Sequence, residues 1–203
     1  MIKGSSIDSG MAESRSNLKI VIVVAVVVIL VLMMLWVVLA YNSTVSQEQS
    51  VNSTSSDIKN RYTVKVDTMS DLVPQLDGFA EYESSLLTNI TQLRTAWLNA
   101  LDNGDDVPAL ENISNQIDTQ FAALYAVYEN YPNLQYGALV SQYMGEVVDL
   151  NEALAFARGE YNDAVQEYNS SIKSFPMMLF ASSFGFEERE YWGSERPGDG
   201  SNL

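Results

Sequence analysis

The sequence predicts an all-α protein: an N-terminal transmembrane helix that continues into an antiparallel, up-down four-helix bundle. Three observations carry that reading. Ile20 to Ala40 is an uninterrupted run of uncharged, apolar residues. Downstream, apolar residues recur at steps of three and four, the spacing of one helix face. No segment alternates apolar and polar residues for long, so strands are not expected.

The 21 residues from Ile20 to Ala40 would span about 30 Å as a helix, the thickness of a bilayer core. Lys19 caps the near end, Ile20 opens the run, and Trp36, Ala40 and Tyr41 mark the far end, where aromatic rings favour the interface. A cleaved signal peptide is the competing reading, and Val38-Leu39-Ala40 resembles a cleavage site. The run is longer than the usual ~7–15 residues of a signal's apolar core, which favours a retained anchor. It holds no glycine, and Ala25 and Ala40 are its small residues, so no small-residue packing face is expected.

Lys3, Arg15 and Lys19 precede the span, and the next basic residue after it is Lys59. The positive-inside rule then places residues 1–19 in the cytoplasm and the C-terminal domain outside it, at the cell envelope. Asn-x-Ser/Thr triplets at Asn42, Asn52, Asn89, Asn112 and Asn169 are compatible with glycosylation and agree with that orientation.

Residues 1–17, rich in Ser and Gly, read as a disordered cytoplasmic head, 18–40 as the span, 41–192 as the helical domain and 193–203 as a disordered tail. The first helix is expected over 18–75. Its seam runs through Val51, Ile58, Tyr62, Val66, Met69, Val73 and Leu76, it loosens near Ser70-Asp71, and Pro74 kinks or restarts it. Ser, Thr and Asn between 41 and 60 are poor helix formers, so that stretch needs support from its neighbours. Gly78 marks a turn. A second helix is expected over 81–102, with Leu86, Ile90, Leu93, Trp97 and Leu101 on one face.

Asn103-Gly104-Asp105-Asp106 reads as a stop-and-restart turn, with Pro108 in the first turn of a third helix over 107–131. Tyr131-Pro132-Asn133 ends that helix. A fourth, over 137–173, has the seam Leu139, Tyr143, Val147, Leu150, Leu154, Ala157, Tyr161, Val165, Tyr168 and Ile172, a coiled-coil-like repeat over five heptads. Pro176 stops it. Four helices with short connections alternate in direction, so the segment after the fourth returns toward the bilayer. That segment carries Phe175, Phe180, Phe184 and Phe186. Such a concentration of apolar residues needs burial, either on the end of the bundle or against membrane lipid or another subunit.

At this point the residues resemble the LemA family. The resemblance rests on Ala157-Arg158-Gly-Glu-Tyr161-Asn162-Asp163-Ala-Val165-Gln-Glu-Tyr168-Asn169, then Ile172-Lys-Ser-Phe175-Pro176 and Phe184-Gly185-Phe186. The connector Tyr131-Pro132-Asn-Leu134, Tyr41-Asn42 after the span, and Asp67, Leu72-Val73 and Gly78-Phe79-Ala80 extend it over about residues 18–192. The sequence departs from the family where an Arg pair is usual, reading Val64-Lys65, and has Ser70 and Asp71 at the family's Pro and Asn positions. The resemblance implies a single-pass membrane protein with a helical-bundle domain, and no catalytic residues.

Composition excludes several chemistries. With 26 acidic residues against 11 basic and a net charge of −15, the chain is unsuited to nucleic acid, which is bound by displacing counterions with Lys and Arg. There is no cysteine, and so no disulfide or thiol chemistry, and no histidine, which removes a His-containing di-iron site and a Ser-His-Asp triad. A Ser-Lys dyad is conceivable, but Lys59, Lys65 and Lys173 are expected in exposed helical settings. Asp102, Asp105 and Asp106 around Gly104 lack the ligand spacing of a calcium loop and read as a capping turn. No cofactor, metal or small-molecule substrate is expected.

Asn162 and Asn169 stand one heptad apart beside Tyr161 and Tyr168. They read as register-setting polar groups inside the bundle or as a contact surface for another subunit, shared with Phe175, Phe180, Phe184 and Phe186. A buried register role at Asn169 would exclude a glycan there. The functional expectation is a non-enzymatic scaffold or interaction module, working with membrane lipid and with a protein partner or as a homo-oligomer. The alternative is a ligand-sensing ectodomain that signals through a partner membrane protein.

Overall fold

The computed structural model describes residues 5–72, 83–105, 107–130 and 137–193. The described residues form helices and turns and no strand. The elements are α1 (Ser5–Leu72), α2 (Glu83–Asn103), α3 (Val107–Asn130), α4 (Ala138–Lys173), a 3-10 turn (Met177–Leu179) and the one-turn helix α5 (Ala181–Phe184). The ends of α2, α3 and α4 fall within two residues of the expected ones. Pro74, Gly78, Pro132 and the tail after Gly193 lie outside the described residues. Helix α1 begins at Ser5, thirteen residues ahead of the expected start at residue 18 and within the stretch expected to be a structureless head.

α1 runs through the polar stretch 41–60 without a break. Its hydroxyls bond back onto the preceding turn instead of competing with it: Thr44 Oγ1 to Ala40 O (3.0 Å), Thr54 to Ser50 O (3.0 Å), Ser56 to Asn52 O (2.8 Å) and Thr63 to Lys59 O (2.8 Å). Buried Val51, Ile58 and Tyr62 supply the apolar face that propensity alone does not.

Contacts divide the chain into two compact units, one of residues 1–46 and 171–186, the other of residues 47–170 and 187–203. The first contains the apolar part of α1, a helix long and apolar enough to cross a membrane, and none of its most apolar window is buried. In this unit the segment after α4 lies along α1. Phe175 packs on Trp36 (ring centroids 5.0 Å), Phe184 meets Tyr41 edge-on (5.1 Å), and Phe186 lies 5.6 Å from Tyr41.

The second unit holds the helical core. α1 contributes Ile58, Tyr62, Val66, Met69 and Leu72; α2 contributes Ile90 and Trp97; α3 contributes Leu110, Ile117 and Leu124; α4 contributes Val147, Leu154, Tyr161, Val165 and Tyr168. The seam of α4 differs from expectation at its start. Val140 and Met144 are buried, whereas Leu139 is exposed and Tyr143 half-buried. Two successive steps of four back from Val147 walk about 80° around the helix, while a three and a four return to within about 20° of the same face.

α2 and α3 pack on one another. The turn between them is the capping turn expected from sequence. Gly104 adopts φ +70°, its N–H donates to Leu101 O (3.1 Å) and Asp105 N–H to Ala100 O (2.9 Å), the paired bonds of a Schellman cap. The same device recurs at Gly185 (φ +81°), with Gly185 N–H to Ser182 O (3.3 Å) and Phe186 N–H to Ala181 O (2.9 Å).

Candidate interaction site

Two constructions in the second unit concentrate its polar chemistry. The first is a charged centre among three helices. Lys65 on α1 is fully buried, against the expectation that it is exposed. Its Nζ donates to Asp118 Oδ1 of α3 (2.6 Å) and Asn151 Oδ1 of α4 (2.8 Å). It also lies over the Phe121 ring, 4.8 Å from its centroid, and 5.8 Å from that of Tyr62. The other carboxylate oxygen of Asp118 accepts from Arg158 Nη2 (2.7 Å) and Tyr62 Oη (2.9 Å). One carboxylate thus serves two cations.

Burial lowers the Lys65 pKa, and the hydrogen bond and charge of Asp118 oppose that shift; burial lowers that of Arg158 as well. Arg158 Nε is buried without a hydrogen-bond partner among the described residues. A lysine acting as base or nucleophile must meet a substrate. Lys65 instead ends against a carboxylate, an amide and two aromatic rings, which makes it a cross-link between helices. The missed signal is legible afterwards: Lys65 stands three residues after Tyr62 and four before Met69, on the buried stripe of α1.

The second construction is a clamp on extended backbone. Asn162 Nδ2 donates to Trp192 O (2.9 Å) while Trp192 N–H donates to Asn162 Oδ1 (2.8 Å). Asn169 repeats the pattern on Arg189, with Nδ2 to Arg189 O at 2.8 Å and Arg189 N–H to Oδ1 at 2.9 Å. Tyr161 Oη donates to Glu190 O between them (2.9 Å), and Arg189 Nη2 reaches Glu48 Oε1 (2.9 Å). The spacing works because seven helical residues rise about 10.5 Å, and three extended residues cover about 10 Å. Trp192 closes the clamp, buried beside Tyr62 (6.1 Å, stacked) and Tyr161 (6.3 Å, edge-on). Burial pushes the Tyr161 phenol up to about 12, helped by Glu190 and opposed by Arg189.

The sequence singled out Asn162 and Asn169 as register groups or as a subunit contact. In the structure both bind the chain's own residues 189 and 192. Asn169 is itself buried, and its Nδ2, the atom a sugar would join, donates to Arg189 O. Asn42, Asn52, Asn89 and Asn112 are exposed. Of the anchor residues, Lys19, Ile20, Trp36 and Tyr41 are exposed and Ala40 is half-buried. Phe175, Phe180 and Phe184 are exposed and Phe186 is buried. Among the described residues no group of three or more His, Cys, Asp or Glu side chains could hold a metal ion.

Comparison with known proteins bears on this geometry. The profile of the LemA family matches residues 54–199, which takes in the buried cross-link and the clamp. The chain belongs to the LemA family. Its curated relatives include Magnetosome protein MamQ 2 of Paramagnetospirillum magneticum, 23% identical over 185 residues, covering 80% of this chain and 68% of the relative. Magnetosome protein MamQ of Magnetospirillum gryphiswaldense is 21% identical over 185 residues with the same coverage, 80% and 68%. Protein LemA of Metamycoplasma hominis is 27% identical over 138 residues, 66% of this chain and 60% of the relative. None of these three names states a reaction.

Proposed function

We propose that this LemA-family protein is a non-enzymatic, single-pass membrane scaffold of the cell envelope, whose helical domain works through self-assembly or partner binding. In this reading Ile20 to Ala40 spans the bilayer. The four long helices alternate in direction as an antiparallel bundle, and the charge asymmetry around the span puts that bundle outside the cytoplasm. The observation that carries the proposal is the pair of asparagine rungs. Asn162 and Asn169 recognise main-chain atoms of an extended segment, and that mode of capture serves a segment from another chain as well as one from the same chain. Exchange of residues 187–193 between copies is the most economical form of self-assembly, since it re-uses existing bonds. The relatives' names, given by assembly or family and not by a reaction, are in keeping with this role.

Native mass spectrometry of the full chain in mild detergent tests the proposal. A discrete complex above the monomer mass is expected. It should be lost in an Asn162→Ala, Asn169→Ala double variant that keeps its helical circular dichroism. A strict monomer with no associated protein would refute the scaffold role.

A further inference from the structure

Ser174 through Phe186 contains no charged residue; Lys173 precedes it and Glu187 follows. This segment lies on α1 at the far end of the apolar run. Phe175 packs on Trp36 and Phe184 on Tyr41, and Ser171 Oγ lies 3.4 Å from Thr44 Oγ1. Trp36 stands four residues before Ala40, about 6 Å short of the end of the run. If Ile20 to Ala40 spans the bilayer, this contact holds Phe175 beside the lipid-facing part of the helix.

The segment's other face is bare. Phe175, Met178, Leu179, Phe180 and Phe184 are between 37% and 61% exposed. The backbone is prepared for a medium without water. The N–H groups of Met178, Leu179, Phe180, Phe184, Gly185 and Phe186 all donate to carbonyls within Ser174–Phe186.

We propose that residues 175–184 form a second, shallow membrane contact, inserting Phe175, Met178, Leu179, Phe180 and Phe184 into the one leaflet through which α1 leaves the bilayer. The lipid partner is the uncharged acyl–headgroup boundary. Interfacial helices that bind anionic lipid carry Lys and Arg on their polar face. Here the segment has none; a single Lys173 borders it on one side and Glu187 and Glu188 on the other. Insertion is accordingly indifferent to anionic lipid and to salt. The inference rests on the reading that Ile20 to Ala40 spans the membrane.

The absence of native cysteine allows a clean test on the full chain. Single-cysteine variants V28C in the span, M178C and L179C in the proposed contact, and N115C on the exposed face of α3 carry a nitroxide label in phosphatidylcholine vesicles. Collision is measured with oxygen, which concentrates in lipid, and with a water-soluble nickel chelate. The oxygen-to-nickel ratio at 178 and 179 should exceed that at 115 by about fivefold or more, as for groups buried several ångströms into the interface. It should not change when anionic lipid or salt is added. Nickel access at 178 and 179 equal to that at 115 would overturn the proposal, as would exclusion of both reagents, the mark of a protein cover. A label at 28 open to nickel would overturn the spanning reading itself, an outcome distinct from failure at 178 and 179 alone.

Discussion

Replacing Asp118 by Asn tests whether the buried cross-link holds the helices together. The substitution keeps the shape and removes the charge that serves both Lys65 (2.6 Å) and Arg158 (2.7 Å). Lys65 is then left fully buried, with a neutral amide and Asn151 as its polar neighbours. Breaking a buried pair by removing one partner costs about 3–5 kcal/mol, because the surviving charge stays desolvated. The Asp118 side chain is 29% exposed, so water reaches one side, and the lower end, about 3 kcal/mol, is expected. For a chain of this size that is a fall of about 6–12 °C in Tm. Lys65→Met should cost far less, about 1 kcal/mol, since it leaves Arg158 paired with Asp118 and fills the same space with an apolar chain. The double variant should be milder than the sum of the singles, by about 1–3 kcal/mol of coupling. Denaturant titration of the full chain in detergent, followed by circular dichroism, supplies all four corners of the cycle. An Asp118→Asn loss below about 0.5 kcal/mol, or strict additivity with Lys65→Met, would refute the reasoning.

Further outcomes follow from the clamp, the phenol and the turn. Asn162→Ala removes two hydrogen bonds to Trp192 and should cost about 1–3 kcal/mol, with faster hydrogen exchange at the Trp192 amide but not at Ser114. Tyr161, with its phenol raised from 10.0 to about 12, keeps its proton in the folded state after the unfolded chain has lost it. Its contribution is full below pH 10 and drains away as pH climbs from about 10 to 12, by about 2–3 kcal/mol in all. Tyr161→Phe should flatten that alkaline loss in a pH series of unfolding curves, and an unchanged slope would count against it. Gly104→Ala meets no atom within 4 Å, so its cost is the left-handed backbone alone, about 1–2 kcal/mol. A neutral effect on the thermal midpoint would argue against the Schellman cap.

The sequence made the helices legible because periodicity and punctuation agreed. Ile117 and Leu124 stand a heptad apart, and Asn103-Gly104 closes α2 where glycine tolerates positive φ. It misplaced the start of the α4 seam, because Leu139 and Val140 are equally apolar and only packing chooses between them. It missed Lys65 because a lysine counts as exposed by default, and its partners lie 53 and 86 residues away in sequence. The asparagines stood out by their heptad spacing. Their ligand was not legible, since main-chain atoms of residues 189 and 192 carry no side-chain signature.

The asparagine rungs measure length. Each touches only main-chain atoms, so substitution at the positions between them leaves both rungs intact, provided the side chain does not occupy the space of Trp192. Inserting or deleting a single residue between Arg189 and Trp192 does the opposite, moving one rung out of reach by about 3.5 Å. The surface is therefore a gauge block: permissive about which residues stand at 190 and 191 and strict about how many.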